Sequence, residues 1–201
     1  KDIIKVMPLP RADIICREEY KKKNSKEIYE KYPFLKSSSK KIILYAPTFR
    51  KDGSEIKLIK DMSESADPNK YHLVIKPHPL TPKVDCPDGV IMDESFSSIK
   101  WLSVCDGVVT DYSAFIIEAA LSGCALYRFV PDLDEYDTRR GFFIDVEKEF
   151  PGYAYKDAAM VFDAVENDKC DMSKVKEFAE SYVEYFGHAT ADIAGFVSKL
   201  L

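Results

Sequence analysis

The chain has 201 residues, 46% of them hydrophobic and 31% charged, a balance that suits one soluble globular domain with a real core. A net charge of −5 argues against a general nucleic-acid binder, and no apolar run approaches the roughly 18 residues of a membrane span. Five scattered cysteines and three histidines lack the spacing of a zinc site, so reduced, mostly buried thiols of a cytosolic protein are expected.

The chain opens KDIIKV, with neither the basic-then-apolar start of a secretory leader nor an initiator Met, and is expected to be part of something longer. Residues 1–60 carry 16 Lys and Arg against 8 Asp and Glu, whereas the remainder carry 13 against 26. The basic end is expected either to lie near an anionic polymer or membrane surface, or to be a solvated helix face around Lys21, Lys22, Lys23 and Lys26. Residues 18–31 read as a helix. IILYA (42–46) reads as a buried strand, IKLIKDM (56–62) as a helix and HLVIK (72–76) as a strand ending in KPHP. VIM (90–92) is a short strand and FSSIKWLSVC (96–105) a helix. GVVT (107–110) is a strand, SAFIIEAALSG (113–123) a helix stopped at Gly123, and ALYRFV (125–130) the next strand. After Phe150 the pattern is helical, giving a C-terminal helical segment over about 153–201.

The strands are short, apolar and mostly non-alternating, and helix-length segments separate them. That pattern predicts an α/β fold: one Rossmann-like, doubly wound parallel sheet spanning residues 1–201. In such sheets ligands bind beyond the carboxyl ends of the strands. Three strand ends carry anion-binding chemistry: Thr48 and Arg50 after the first, Lys76 and His78 after the second, and Thr110, Asp111 and Ser113 before the helix of residues 113–123. Free N–H groups at that helix start suit a phosphate, although Asp111 or Ser113 can equally serve as a simple cap. Glu118, a lone charge in AFIIEAAL, is placed either to accept ribose hydroxyls or on an exposed helix face. His78 sits between two prolines that stiffen its loop. A fourth cluster holds Arg139, Arg140 and Gly141, with Arg140 a fork for phosphate. The nearby acids Asp132, Asp134, Glu135 and Asp137 are an alternative structural partner for the arginines.

PRAD (10–13), ILYAPTFR (43–50), KPHP (76–79), CDGVVTDYSAFIIEAAL (105–121) and DLDEYDTRRGFFID (132–145), in this order, resemble the CDP-glycerol glycerophosphotransferase family of teichoic acid synthesis. The resemblance implies one half of a GT-B architecture, the half that binds the CDP-linked donor, with no cofactor. It implies that Thr48 and Arg50 line the donor cleft, that Thr110 and Ser113 bind phosphate, and that Arg140 lies on the pyrophosphate side. It implies that His78 faces the donor phosphates as a charge-stabilising or proton-donating catalytic group. It further implies a polyol-phosphate acceptor, held by a preceding half, and a cytoplasmic enzyme at the inner membrane face. The sequence departs from the family pattern at Pro8, at Ala114, at Glu118 where Asp is usual, and at Asp192, which stands where the family carries an arginine. The family's HGT-type acceptor motif does not occur in these residues. The expected activity is therefore donor binding without turnover. A CDP-ribitol or nucleotide-sugar transferase and a non-catalytic nucleotide-binding module are the alternatives.

Overall fold

The computed structural model describes residues 4–140, 149–150, 154–183 and 187–200. Among the described residues, six parallel strands form one sheet: β1 (Lys41–Ala46), β2 (Tyr71–Ile75), β3 (Ile91–Met92), β4 (Gly107–Thr110), β5 (Ala125–Phe129) and β6 (Ala154–Tyr155). Their order is β3-β2-β1-β4-β5-β6, so the expected doubly wound parallel sheet is present. The reason lies in the sequence. A strand buried on both faces must be apolar throughout, and β1, β2, β4 and β5 are almost wholly buried. Helices α1 (Pro10–Ile15), α2 (Glu18–Lys31) and α3 (Pro33–Lys36) precede the sheet. Then come α4 (Glu55–Ser65), α5 (Ser98–Trp101), α6 (Phe115–Ser122), α7 (Leu133–Arg140), α8 (Ala158–Glu166), α9 (Met172–Tyr182) and α10 (Ala189–Ser198).

Two apolar layers sandwich the sheet. Leu58, Ile59 and Met62 of α4 meet Val161 and Phe162 of α8 on one face. Ile28 of α2, Trp101 of α5, Ile116 of α6 and Phe178 of α9 fill the other. Close approach inside the sheet requires Gly107, since a Cβ there would sit 3.3 Å from both Ile43 Cδ1 and Tyr127 Cε2. Gly123 ends α6 with φ +78°, as its placement after the apolar run predicts.

Four features differ from the sequence expectation. The helix expected over 96–105 is confined to Ser98–Trp101, because Ser97 caps its start and tight turns through Val104 and Cys105 follow it. PRADII and LDEYDTRR form helices although neither carries a long apolar stripe. The segment after Phe150 begins with strand β6, which pairs with β5, and so extends the sheet before turning helical. Among the described residues, no helix is long and apolar enough to cross a membrane.

The two ends of the described chain are joined through one buried carboxylate. Asp13 of α1 accepts hydrogen bonds from the backbone N–H groups of Gly187 (2.6 Å), Ala189 (3.2 Å) and Thr190 (3.1 Å), and so caps α10. Burial pushes the Asp13 carboxyl up, but these backbone donors outweigh it and hold it below its ordinary value. A carboxyl depressed on folding contributes stability above its unfolded pKa and loses it as pH falls through the folded value. Protection of the Ala189–Ser198 amides from hydrogen exchange, taken relative to the intrinsic rate at each pH, should therefore be high at neutral pH and fall on acidification through and below the usual carboxylate range. In Asp13→Ala the same amides should show low protection at every pH.

Candidate functional site

The strand order reverses between β1 and β4, so their carboxyl ends open a crevice at the switch point of the sheet. The register places Ala46 beside Thr110, which sets the two following loops face to face. Asp111, the first residue after β4, is buried there. Its carboxylate accepts the Thr48 backbone N–H (2.9 and 3.0 Å), the Thr48 hydroxyl (2.6 Å), Arg50 Nη1 (2.9 Å) and the Tyr112 N–H (2.7 Å). Arg50, itself buried, forks onto Asp132 through Nε (2.7 Å) and Nη2 (3.1 Å) and donates from Nη1 to the Thr48 carbonyl (2.7 Å). Four of the five guanidinium N–H donors are thus committed. Burial lowers the affinity of Arg50 for its proton, but Asp132 and Asp111 outweigh it, so the guanidinium holds the proton more tightly than usual.

Two aromatic rings complete the wall. Tyr112 and Tyr136 stack with centroids 4.1 Å apart, and the Arg50 guanidinium lies within 6 Å of both ring centres, at 5.8 and 5.7 Å. The Tyr112 hydroxyl donates to Asp132 (3.1 Å), and burial, together with the Asp132 charge, raises that phenol's pKa. Beside this wall lies an open cleft of about 700 Å³, lined by Arg50, Lys51, Ser54, Lys57, Asp132 and Tyr136 among others. Lys51 and Lys57 carry exposed ammonium groups there, and the acids Asp52 and Glu135 line the same cleft.

The structure brings Thr48, Arg50 and Asp111 into one network. His78 joins them indirectly: its exposed ring packs on Phe49 of the same loop, with centroids 4.8 Å apart. The Leu80 N–H donates to His78 Nδ1 (3.2 Å), so the ring carries its proton on Nε2. Ser113, half-buried two residues beyond Asp111, accepts from the Phe115 N–H (3.3 Å) at the start of α6.

Three other residues are engaged elsewhere. The Thr110 hydroxyl is buried and donates to the Ala46 carbonyl (2.9 Å), where it ties the two strands together. Lys76 reaches Asp93, whose buried carboxylate also takes Trp101 Nε1 (2.9 Å) and the Tyr32 hydroxyl (2.8 Å). Glu118 is buried and ion-paired to Arg11 at 2.7 Å. The Arg140 side chain and Gly141 lie outside the described residues. Asp132 pairs with Arg50, whereas the sequence offered the neighbouring Arg139 and Arg140 as its alternative partners. Tyr112, Tyr136 and Arg11 were not anticipated as site residues. The signal available was Arg50 itself, since a guanidinium following a buried strand needs acids to meet it. Among the described residues, no group of three His, Cys, Asp or Glu side chains gathers as a metal site.

A family profile described as CDP-Glycerol:Poly(glycerophosphate) glycerophosphotransferase matches residues 2–197. Teichoic acid ribitol-phosphate primase of Bacillus spizizenii is 30% identical, over 98% of this chain and 54% of its own length. Teichoic acid glycerol-phosphate primase of Bacillus subtilis is 26% identical, over 98% of this chain and 53% of its own length. A solved structure of the wall teichoic acid polymerase TagF superposes with a TM-score of 0.75 at 22% identity, covering 98% of this chain and 52% of that one. A TagF variant soaked with CDPG gives 0.72 at 23% identity, covering 98% and 50%. The chain spans about half the length of the curated relatives it matches.

The network makes a sharp stability prediction. Arg50→Met leaves Asp111 and Asp132 facing each other without a counter-charge, and should cost about 3–5 kcal/mol in urea unfolding. Arg50→Lys keeps the charge but loses the fork, and should cost less.

Proposed function

We infer the function from family membership: this chain belongs to the CDP-glycerol:poly(glycerophosphate) glycerophosphotransferase family. It forms the donor-binding half of a GT-B transferase that moves a polyol phosphate from a CDP-linked donor to a growing teichoic-acid-like polymer. The observation that carries this reading is the Asp111 network. It clamps the Thr48–Arg50 loop over the switch point and, through Phe49, seats the His78 ring beside that loop. The CDPG soak of the TagF variant, a protein of the same fold, supports a cytidine diphosphate donor.

In the reaction, an acceptor hydroxyl oxygen bonds to the β-phosphorus, the bond to the bridging oxygen breaks, and CMP leaves. Charge then builds on the departing phosphate. The Nε2–H of His78 donates to a pyrophosphate oxygen, and Ser113 with the first turn of α6 supplies further donors. Lys51 and Lys57 add positive charge along the cleft. Arg50 and Asp111 act by holding the loop, since their hydrogen bonds are directed inward. Lys76 and Glu118 contribute through Asp93 and Arg11, and Arg140 contributes as the family resemblance implies. The group that activates the acceptor hydroxyl belongs to the remaining half of the parent protein. The basic face around Lys21–Lys26 of α2 supports peripheral contact with an anionic membrane at the cytoplasmic side.

A ribitol donor is the second reading, favoured by the 30% identity to a ribitol-phosphate primase. Calorimetry of this chain should show binding of CDP and CDP-glycerol, weaker binding of UDP, and no turnover. Competition with CDP-ribitol ranks the two polyols. His78→Ala should weaken diphosphate binding by about 1–3 kcal/mol, the worth of a hydrogen bond to a charged group. Equal affinity for cytidine and uridine ligands would count against the donor assignment, and an unchanged His78→Ala would remove that ring from the site.

A further inference from the structure

Two thiols meet at the end of the sheet opposite the crevice. Cys105 lies two residues before β4 and Cys124 immediately precedes β5. The register pairs Gly107 with Ala125, so the two cysteines stand one position out of register at the entry to neighbouring parallel strands. Strands so paired run about 4.8 Å apart and one position adds about 3.3 Å along the strand, so the diagonal falls within the Cα range that disulfides span. The two Sγ atoms are 3.5 Å apart. Taken as whole residues, Cys105 is half-buried and Cys124 buried. The remaining cysteines contact other groups: Cys16 the Leu121 carbonyl, Cys86 the Met92 sulfur and Cys170 the Met172 sulfur.

The surroundings favour chemistry between the pair. The hydrogen bond between the two sulfurs pulls the Cys124 thiol below its ordinary value and pushes the Cys105 thiol well above its own; burial opposes the first shift and adds to the second, and a hydrogen bond from Ser122 Oγ (3.1 Å) reinforces the first. A lowered thiol pKa raises the thiolate fraction, and the thiolate is the nucleophile. Closing from 3.5 Å to a bonded separation of about 2.0 Å needs local movement. Gly123 adjoins Cys124 at φ +78°, and a Cβ placed on it would meet no atom within 4 Å, so the backbone there has room to shift.

We propose that Cys105 and Cys124 form a redox-active dithiol, a modification site for two-electron oxidants of the hydroperoxide class whose oxidised product is an intrachain disulfide. Hydrogen peroxide transfers one oxygen to the Cys124 thiol, the more readily ionised of the two, giving a sulfenic acid and one water. The Cys105 sulfur attacks the Cys124 sulfur, the S–O bond breaks, and the departing hydroxide takes the Cys105 proton as a second water. Two thiols lose two electrons, and the peroxide gains them. The resulting ring of chain, Cys105 to Cys124, contains β4, Asp111, Ser113 and the whole of α6. Oxidation therefore ties together both ends of the strand–helix unit that carries the Asp111 turn.

Residues Trp101–Arg128 contain both cysteines and no internal Lys or Arg, so trypsin releases them as one peptide. The full chain is treated with hydrogen peroxide, alkylated under denaturing conditions, digested and weighed. The expected result is a Trp101–Arg128 peptide that lacks two hydrogens and escapes alkylation, restored to two alkylated cysteines by dithiothreitol. The thiol titre should fall by two of the five. Cys105→Ser should abolish the two-hydrogen loss and leave Cys124 as a dithiothreitol-reducible sulfenic acid. A peptide still alkylated at both cysteines, or one carrying only sulfinic acid at Cys124, would overturn the proposal.

Discussion

A buried carboxylate must be met by donors or it destabilises the fold, and Asp111 is met on every side. Its position is dictated by sheet order. It follows the strand at which the strand order reverses, so it faces the loop of the neighbouring strand across the crevice. The Thr48 amide and hydroxyl, the Arg50 guanidinium and the Tyr112 amide then have one geometry in which all are satisfied. The loop after β1 takes that geometry, and Phe49 and the cleft wall follow from it.

The same device recurs at two other points. Asp93 gathers Trp101, Tyr32, Lys76 and the backbone of Ser95 and Phe96; burial raises its pKa, and these hydrogen bonds more than offset the rise. Asp13 gathers the first turn of α10. Each carboxylate serves donors from distant parts of the chain, and each replaces a loop's freedom with a fixed arrangement. The apolar layers on either face of the sheet supply the bulk of the packing. The three acids decide where the connecting segments lie.

Much of the fold was legible because its strands are buried on both faces and therefore read as unbroken apolar runs. The stop of α6 at Gly123 was legible for a local reason, the glycine itself. The helix Leu133–Arg140 was not, because its polar, acid-rich face resembles a loop until Asp132 is seen paired with Arg50. The two-residue strand β6 carries too little pattern to be seen at all. At the crevice, residue types marked the strand ends that line it but not each residue's partner. Glu118 is paired with Arg11, 107 positions away, and Asp111 with Thr48, 63 positions away. Such pairings depend on topology, which spacing along the chain does not encode. Thr110 illustrates the difference: one residue from Asp111, it points its hydroxyl into the sheet.

The hydrogen bond from the Leu80 amide to His78 Nδ1 has a consequence for ligand capture. The ring can donate from Nε2 while uncharged, so it acts as an oriented dipole. Dipolar contacts at short range are little affected by dissolved salt, whereas the pull of exposed ammonium groups such as Lys51 and Lys57 fades beyond a Debye length of about 8 Å at physiological ionic strength. For the donor proposed above, attraction and retention would thus fall to different groups. The lysines would govern how fast the anion arrives and make arrival sensitive to ionic strength, while the imidazole would govern how long it stays and leave that residence nearly indifferent to it.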